Sequence, residues 1–170
     1  HLDTAFAGHC AWNRTNGALL VPDPDATFGE ALQLCRIRDE RLVSDVQGMV
    51  WNFPAADAGT LTLEIRVEGS GAAIRLCDHW MNPSDPDVFR YALYDFTLDG
   101  RVLSPGVWHT VTVTFAADGT GLVRADGRTL FAIRRNGPAP QGISYLHMQT
   151  TAEATDPRGT LIRRMAFHAE

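Results

Sequence analysis

Residues 60–69 read TLTLEIRVEG, and the side chains alternate without a break. Leu61, Leu63, Ile65 and Val67 fall on one parity, and Thr62, Glu64 and Arg66 on the other. Successive side chains point to opposite faces only in extended backbone, so this run is a strand with one face buried. The same pattern recurs along the chain. AAIRLCDHW follows the turn Gly69-Ser70-Gly71, and FRYALYDFTLDGRVL reads as a strand, an Asp99-Gly100 turn and a short strand. GVWHTVTVTFAADGTGLVRADGRTLFAIRR reads as two consecutive hairpins turning at Asp118-Gly119 and Asp126-Gly127, and GISYLHMQTT and GTLIRRMAFHAE supply two closing strands. Helix signals are weak: FGEALQLCRIRDE, the best candidate, reads equally well as a strand. Strands every 8–12 residues or so, joined by Gly-, Asp- and Pro-rich turns, predict an all-β protein, an antiparallel two-sheet β-sandwich. The 170 residues show no internal repeat or linker and are read as one domain, 1–170.

The segment SPGVWHTVTVTFAADGTGLVRADGRTLFAI carries Pro-Gly-x-Trp-His, an alternating strand, Asp-Gly, a second strand, Asp-Gly-Arg and a third strand. In this it resembles the concanavalin A-like/laminin G-like jelly rolls. CAWNRTNGALLVPDPDATFGEALQLCR and GISYLHMQTTAEATDPRGTLIRRMAF are similar to the first and last strands of such domains beside bacterial glycan-degrading modules. The resemblance covers most of the chain. It implies two packed antiparallel sheets, a secreted or extracellular setting, and carbohydrate recognition on a concave sheet. Fold alone does not fix activity.

Strand parity predicts which polar side chains could share that surface. With Ile74 and Leu76 facing the core, Arg75 and His79 point away. With Phe89, Tyr91, Leu93 and Asp95 inward, Arg90 and Tyr94 point out, and with Leu146 and Met148 inward, Tyr145, His147 and Gln149 point out. Together with Glu64 and Arg66 this makes a groove-like inventory. Arginine forks hold carboxylates, histidines exchange protons near neutrality, tyrosines stack or shuttle protons, and Gln bonds hydroxyls. Glu64, Arg66, Arg75, Arg90, Gln149 and Trp80 are the candidate glycan contacts, and an acidic glycan is within their range. His79, His147, Tyr145 and Tyr94 would be the acid–base groups of a polysaccharide lyase acting by β-elimination on a uronate. A glycoside hydrolase is disfavoured, because Glu64 has Arg66, not a second acid, two positions on. A non-catalytic binding domain and an accessory domain of a larger glycan-degrading enzyme are the other readings. Ion pairing on a solvated face would equally account for Glu64, Arg66 and Arg75. Trp80 suits a sugar platform or, slightly better, a core plug, with Asp78 closing the core beside it.

His109 and Trp108 suit structural roles. Asp23 and Asp25, and the loop from Asn82 to Asp87, offer hard oxygen ligands for a structural calcium, although turn-forming Asp is the commoner explanation. Cys10 and Cys35 lie in short apolar segments suited to neighbouring strands; a disulfide between them would imply an oxidising compartment, leaving Cys77 a buried thiol. All fifteen basic residues are arginine, yet the net charge is −5, which argues against nucleic acid as a partner. No apolar run approaches membrane-spanning length. The abrupt start at His1 is what a cleaved or trimmed N-terminus would leave.

Overall fold

The alternating run at 60–69 forms β4 (Gly59–Val67), whose burial switches residue by residue between buried and half-buried. The computed structural model describes residues 18–26, 29–38, 46–85 and 87–170. Those residues form β1 (Leu19–Pro22), β2 (Glu30–Arg36), β3 (Gly48–Ala56), β4, β5 (Ala72–Cys77), β6 (Tyr94–Leu98), β7 (His109–Phe115), β8 (Thr120–Ala125), β9 (Arg128–Arg134), β10 (Ile143–Thr150) and β11 (Asp156–Ala169). One short 3-10 turn, Val88–Tyr91, lies between β5 and β6. The ambiguous segment around Cys35 is therefore a strand. β3, GMVWNFPAA, escaped the sequence reading. Its Pro54 is tolerated because β3 is an edge strand.

The strands make two antiparallel sheets. The larger has the order β1-β2-β11-β4-β7-β8-β9, the smaller β3-β10-β5-β6. Their apolar faces meet. Leu61, Leu63, Ile65, Val111, Val113 and Ile162 from the larger sheet pack against Met49, Trp51, Ile74, Leu76, Leu146 and Met148 from the smaller. Aromatic rings link the layers: Phe53 lies 4.3 Å from Phe167, which stacks on Phe115 at 6.0 Å, which lies 6.1 Å from Tyr94. The turn at Asp126-Gly127 has φ of 51° and 80°, the left-handed pair that matches the twist of a two-residue hairpin.

β11 contains a bulge between Arg163 and Met165, with Arg164 at φ 48°. One extra residue reverses the parity, so Ile162 and then Met165 and Phe167 all face inward. Arg163 and Arg164 are left side by side on the outside.

Tyr94 is corrected by the fold. The sequence reading turned it outward, but it is fully buried in the core. Alternation was counted from Phe89, yet the strand begins only at Tyr94, after the 3-10 turn, so the count starts on the wrong residue. Phe96 and Leu98 set the true parity, and Asp95 faces out. Tyr94 Oη is buried with no hydrogen-bond partner among the described residues. Burial raises its pKa above the ordinary phenol value. Removing an unpaired buried hydroxyl relieves desolvation, so Tyr94→Phe is expected to leave stability unchanged or raise it by up to about 1 kcal/mol. Tyr94→Ala is expected to lose about 3–5 kcal/mol. Chemical denaturation of the two variants checks this; a loss of several kcal/mol in Tyr94→Phe would contradict it.

Candidate functional site

The outward faces of the two sheets differ in what covers them. On the larger sheet an ion-pair lattice faces solvent. Glu64 accepts from Arg163 Nε at 2.5 Å and from Arg164 at 3.0 Å. Arg163 also pairs with Asp23, and its guanidinium lies 4.1 Å from the centroid of the Trp108 ring. Arg66 pairs with Asp25 at 2.9 Å and with Glu68. The ion pairing expected among Glu64, Arg66 and Arg75 is thus replaced: Glu64 meets Arg163 and Arg164 of β11, which the bulge leaves side by side, Arg66 meets Asp25 and Glu68, and Arg75 meets Asp95. Asp23 and Asp25 are both met by arginine, and among the described residues no group of three or more His, Cys, Asp or Glu is arranged to hold a metal. Asp23 is held below the ordinary carboxylate value: burial pushes it up, but the Asp25 amide and Arg163 outweigh this.

On the smaller sheet the outward row across the strands is Val50, His147, Arg75 and Asp95. This row is not a groove. The connection after β5, described over residues 78–85 and 87–93, folds back across it as a strap. Gln149 Nε2 donates to the carbonyls of Pro83 at 2.9 Å and Asp85 at 3.1 Å, and Gln149 Oε1 accepts from Arg75 at 3.4 Å. His147 Nε2 donates to the Asn82 carbonyl at 3.4 Å. Arg75 Nε pairs with Asp95 at 3.3 Å. Gly48 completes the seat, since a Cβ there would overlap the Pro83 carbonyl oxygen. At the far end, Leu93 N donates to Leu76 O and Asn136 N to Leu93 O. Met81 and Val88 pack beneath the strap with Cys77 and Tyr145.

The expected single constellation is therefore divided. Glu64 and Arg66 lie on the larger sheet. Arg75, His147 and Gln149 are together on the smaller sheet but buried under the strap, with Tyr145 beside them. Arg90 sits on the 3-10 turn, exposed and 3.7 Å from Asp87. His79 lies beyond the end of β5, exposed, with Nδ1 2.6 Å from Asp78. Trp80 is 44% exposed, so the plug expected of it is supplied by the adjacent Met81 instead. Asp78, bonded to His79, does not close the core either. Cys10 lies outside the described residues. The Cys10–Cys35 pairing therefore falls outside the described residues; the buried Cys35 Sγ lies 2.9 Å from Gln47 Oε1, to which it donates. His109 is the structural histidine expected, held by Asp126 at 2.6 Å and the Ser104 carbonyl at 3.1 Å.

What the strap displays is a small open cleft of about 220 Å³. Its polar lining is His79, Asn82 and Asp85, and its aromatic lining is Trp80 and Tyr91. Tyr91 is 62% exposed and meets His79 edge-on at 6.5 Å. Sequence reasoning treated Tyr91 as a core residue; only the 3-10 turn brings it to the surface. Asn82 and Asp85 shape the strap through side-chain bonds to the amides of Ser84 and Asp87 at 3.1 and 2.8 Å.

No family model and no curated protein matches the chain by sequence. Solved structures do match in three dimensions. A legume lectin-like domain from Entamoeba histolytica superposes with TM-score 0.56 at 7% identity, over 91% of this chain and 88% of that one. The fold is the concanavalin A-like jelly roll. A sialidase matches at TM-score 0.55 and 12% identity over 82% of this chain, which spans only 15% of the sialidase. A tetrameric galectin from the sponge Cinachyrella sp. matches at 0.51 and 10%, over 71% and 99% of the two chains. In this jelly roll the strap occupies the outer face of the smaller sheet.

Burial, reinforced by the charge of Arg75, pushes the His147 pKa down from 6.5 to about 4. Above pH 6.5 the ring is neutral folded and unfolded. Between pH 6.5 and 4 the unfolded chain takes up a proton that the folded chain refuses, so stability falls as pH drops through that window. The contribution lost is about 3 kcal/mol. Asp95, whose carboxyl is raised by burial, acts in the opposite direction over acid pH. Denaturation curves between pH 7 and 4 should show the loss, and His147→Gln, which can still donate to Asn82, should flatten it. An unchanged slope in the variant would reassign the effect.

Proposed function

We propose that this domain recognises carbohydrate at the strap cleft. The observation that carries the reading is the pairing of two exposed aromatic rings, Trp80 and Tyr91, with His79, Asn82 and Asp85 around one open concavity. A sugar presents an apolar ring face and a rim of hydroxyls, and binding sites of that kind join apolar walls to a few placed polar groups. The jelly-roll scaffold supports the reading, since a lectin-like domain and a galectin share it.

The β-eliminating lyase has less support. It needs an arginine, a base and an acid on one accessible surface. Arg75 and His147 are covered, Tyr94 is in the core, and Arg66 is on the other sheet. A second reading, an accessory domain within a larger glycan-processing chain, is favoured by the sialidase match, in which the shared fold is a small part of a much longer polypeptide.

Immobilised oligosaccharides followed by calorimetry test the main reading. Trp80→Ala and Tyr91→Ala are each expected to weaken binding about tenfold, near 1.4 kcal/mol. Being exposed, each should change folding stability by under about 0.5 kcal/mol. Glycan binding that survives both substitutions would move the site elsewhere.

A further inference from the structure

We propose that the cleft takes a neutral sugar and excludes one carrying a carboxylate, an inference that rests on the carbohydrate reading above. Recognition of a uronate or other acidic sugar needs a guanidinium with N–H groups to spare. The arginines that suggested an acidic glycan do not line the cleft. Arg66 is bound by Asp25 and Glu68 on the opposite sheet. Arg75 is buried behind the strap against Asp95 and Gln149. Arg90 faces Asp87 beside Phe89, and none of the three lines the cleft.

The charge that does line it is negative. Asp85 contributes to the wall, Asp87 lies two residues on, and Asp78 stands behind His79. Among the described residues His79 is the one basic group in the lining, and its Nδ1 is already bonded to Asp78. A second carboxylate entering this cleft meets like charge, in a protein whose net charge is −5. Hydroxyls meet the opposite situation. Ionised Asp85 is acceptor-only, so it favours donors such as sugar hydroxyls, while Trp80 and Tyr91 offer ring faces. The cleft, about 220 Å³, is smaller than a drug-sized pocket and suits one sugar ring.

The test uses the whole chain and a panel of neutral oligosaccharides built on galactose, glucose and mannose, together with the same cores capped by glucuronic or sialic acid. At neutral pH and low salt, at least one neutral core should bind, and its acid cap should weaken binding about tenfold. Asp85→Asn isolates the charge, because an Asn oxygen can still accept the Asp87 amide that Asp85 holds at 2.8 Å. The variant should narrow the neutral-to-acidic ratio about threefold, and high salt should narrow it similarly in the unmodified protein by screening. Equal or tighter binding of the capped cores overturns this inference while leaving the carbohydrate reading intact. A ratio that neither Asp85→Asn nor salt alters also overturns it. Absence of binding to every member of the panel overturns the carbohydrate reading itself, so the two failures are distinct. Should Asp85→Asn fail to fold by circular dichroism, the salt dependence of the unmodified protein decides.

Discussion

The contact between the two apolar sheet faces sets everything else in this molecule. Once Leu61, Leu63 and Ile65 on one sheet and Ile74, Leu76, Leu146 and Met148 on the other are committed to the shared core, period-two geometry leaves their neighbours no choice of side. Glu64 and Arg66 must face out from one sheet, and Arg75, His147 and Gln149 from the other. The environment that receives each set then determines its chemistry. A lattice of opposite charges receives the first, Glu64 meeting the arginines of β11 and Arg66 meeting Asp25 and Glu68. The strap receives the second, where burial raises the stakes of every unpaired polar group.

A polar layer between strap and sheet follows from the irregularity of the strap. A segment without strand pairing brings its own carbonyls to the surface it covers, and these must find donors. The Pro83 and Asp85 carbonyls find the Gln149 amide, and the Asn82 carbonyl finds His147. An apolar side chain at 149 would leave two acceptors without this donor. Gly48 admits the backbone close enough for these bonds. The low pKa of His147 belongs to the same arrangement: a ring enclosed beside a guanidinium stays neutral.

The sandwich was legible in the sequence because alternation and Asp-Gly turns are local signals. Outward parity was legible for Arg75, His147 and Gln149 for the same reason. Exposure was not, because parity says which face a side chain takes and nothing about what lies on that face. Catalytic inventories and buried anchors draw on the same residue types, so Arg75, His147 and Gln149 fit both. Tyr94 and Tyr91 were exchanged between core and surface because one turn of 3-10 helix interrupts a run that reads as continuous strand. The arginine partners of Glu64 depended on the bulge at Arg164, which has no glycine to announce it. Parity set His79 apart from Asp78 and Trp80, but β5 ends at Cys77 and the alternation does not reach them: Asp78 bonds His79, and His79 and Trp80 line one cleft.

Anchoring and display fall on different residues of the strap, and that division suits recognition. Sites on loops gain precision when a rigid scaffold holds the loop. Here the holding groups are backbone carbonyls seated on Gln149 and His147, with Met81 and Val88 packed into a small apolar cluster beneath. The side chains of Trp80, Asn82, Asp85 and Tyr91 line the cleft, those of Asn82 and Asp85 also bonding amides of the strap. Changes to the side chains of Trp80 and Tyr91 alter the cleft without touching the bonds of the seat. Changes at Gly48, His147 or Gln149 act through the seat and alter all four at once. The sheet face that resembles an active site thus fixes where its covering segment stands.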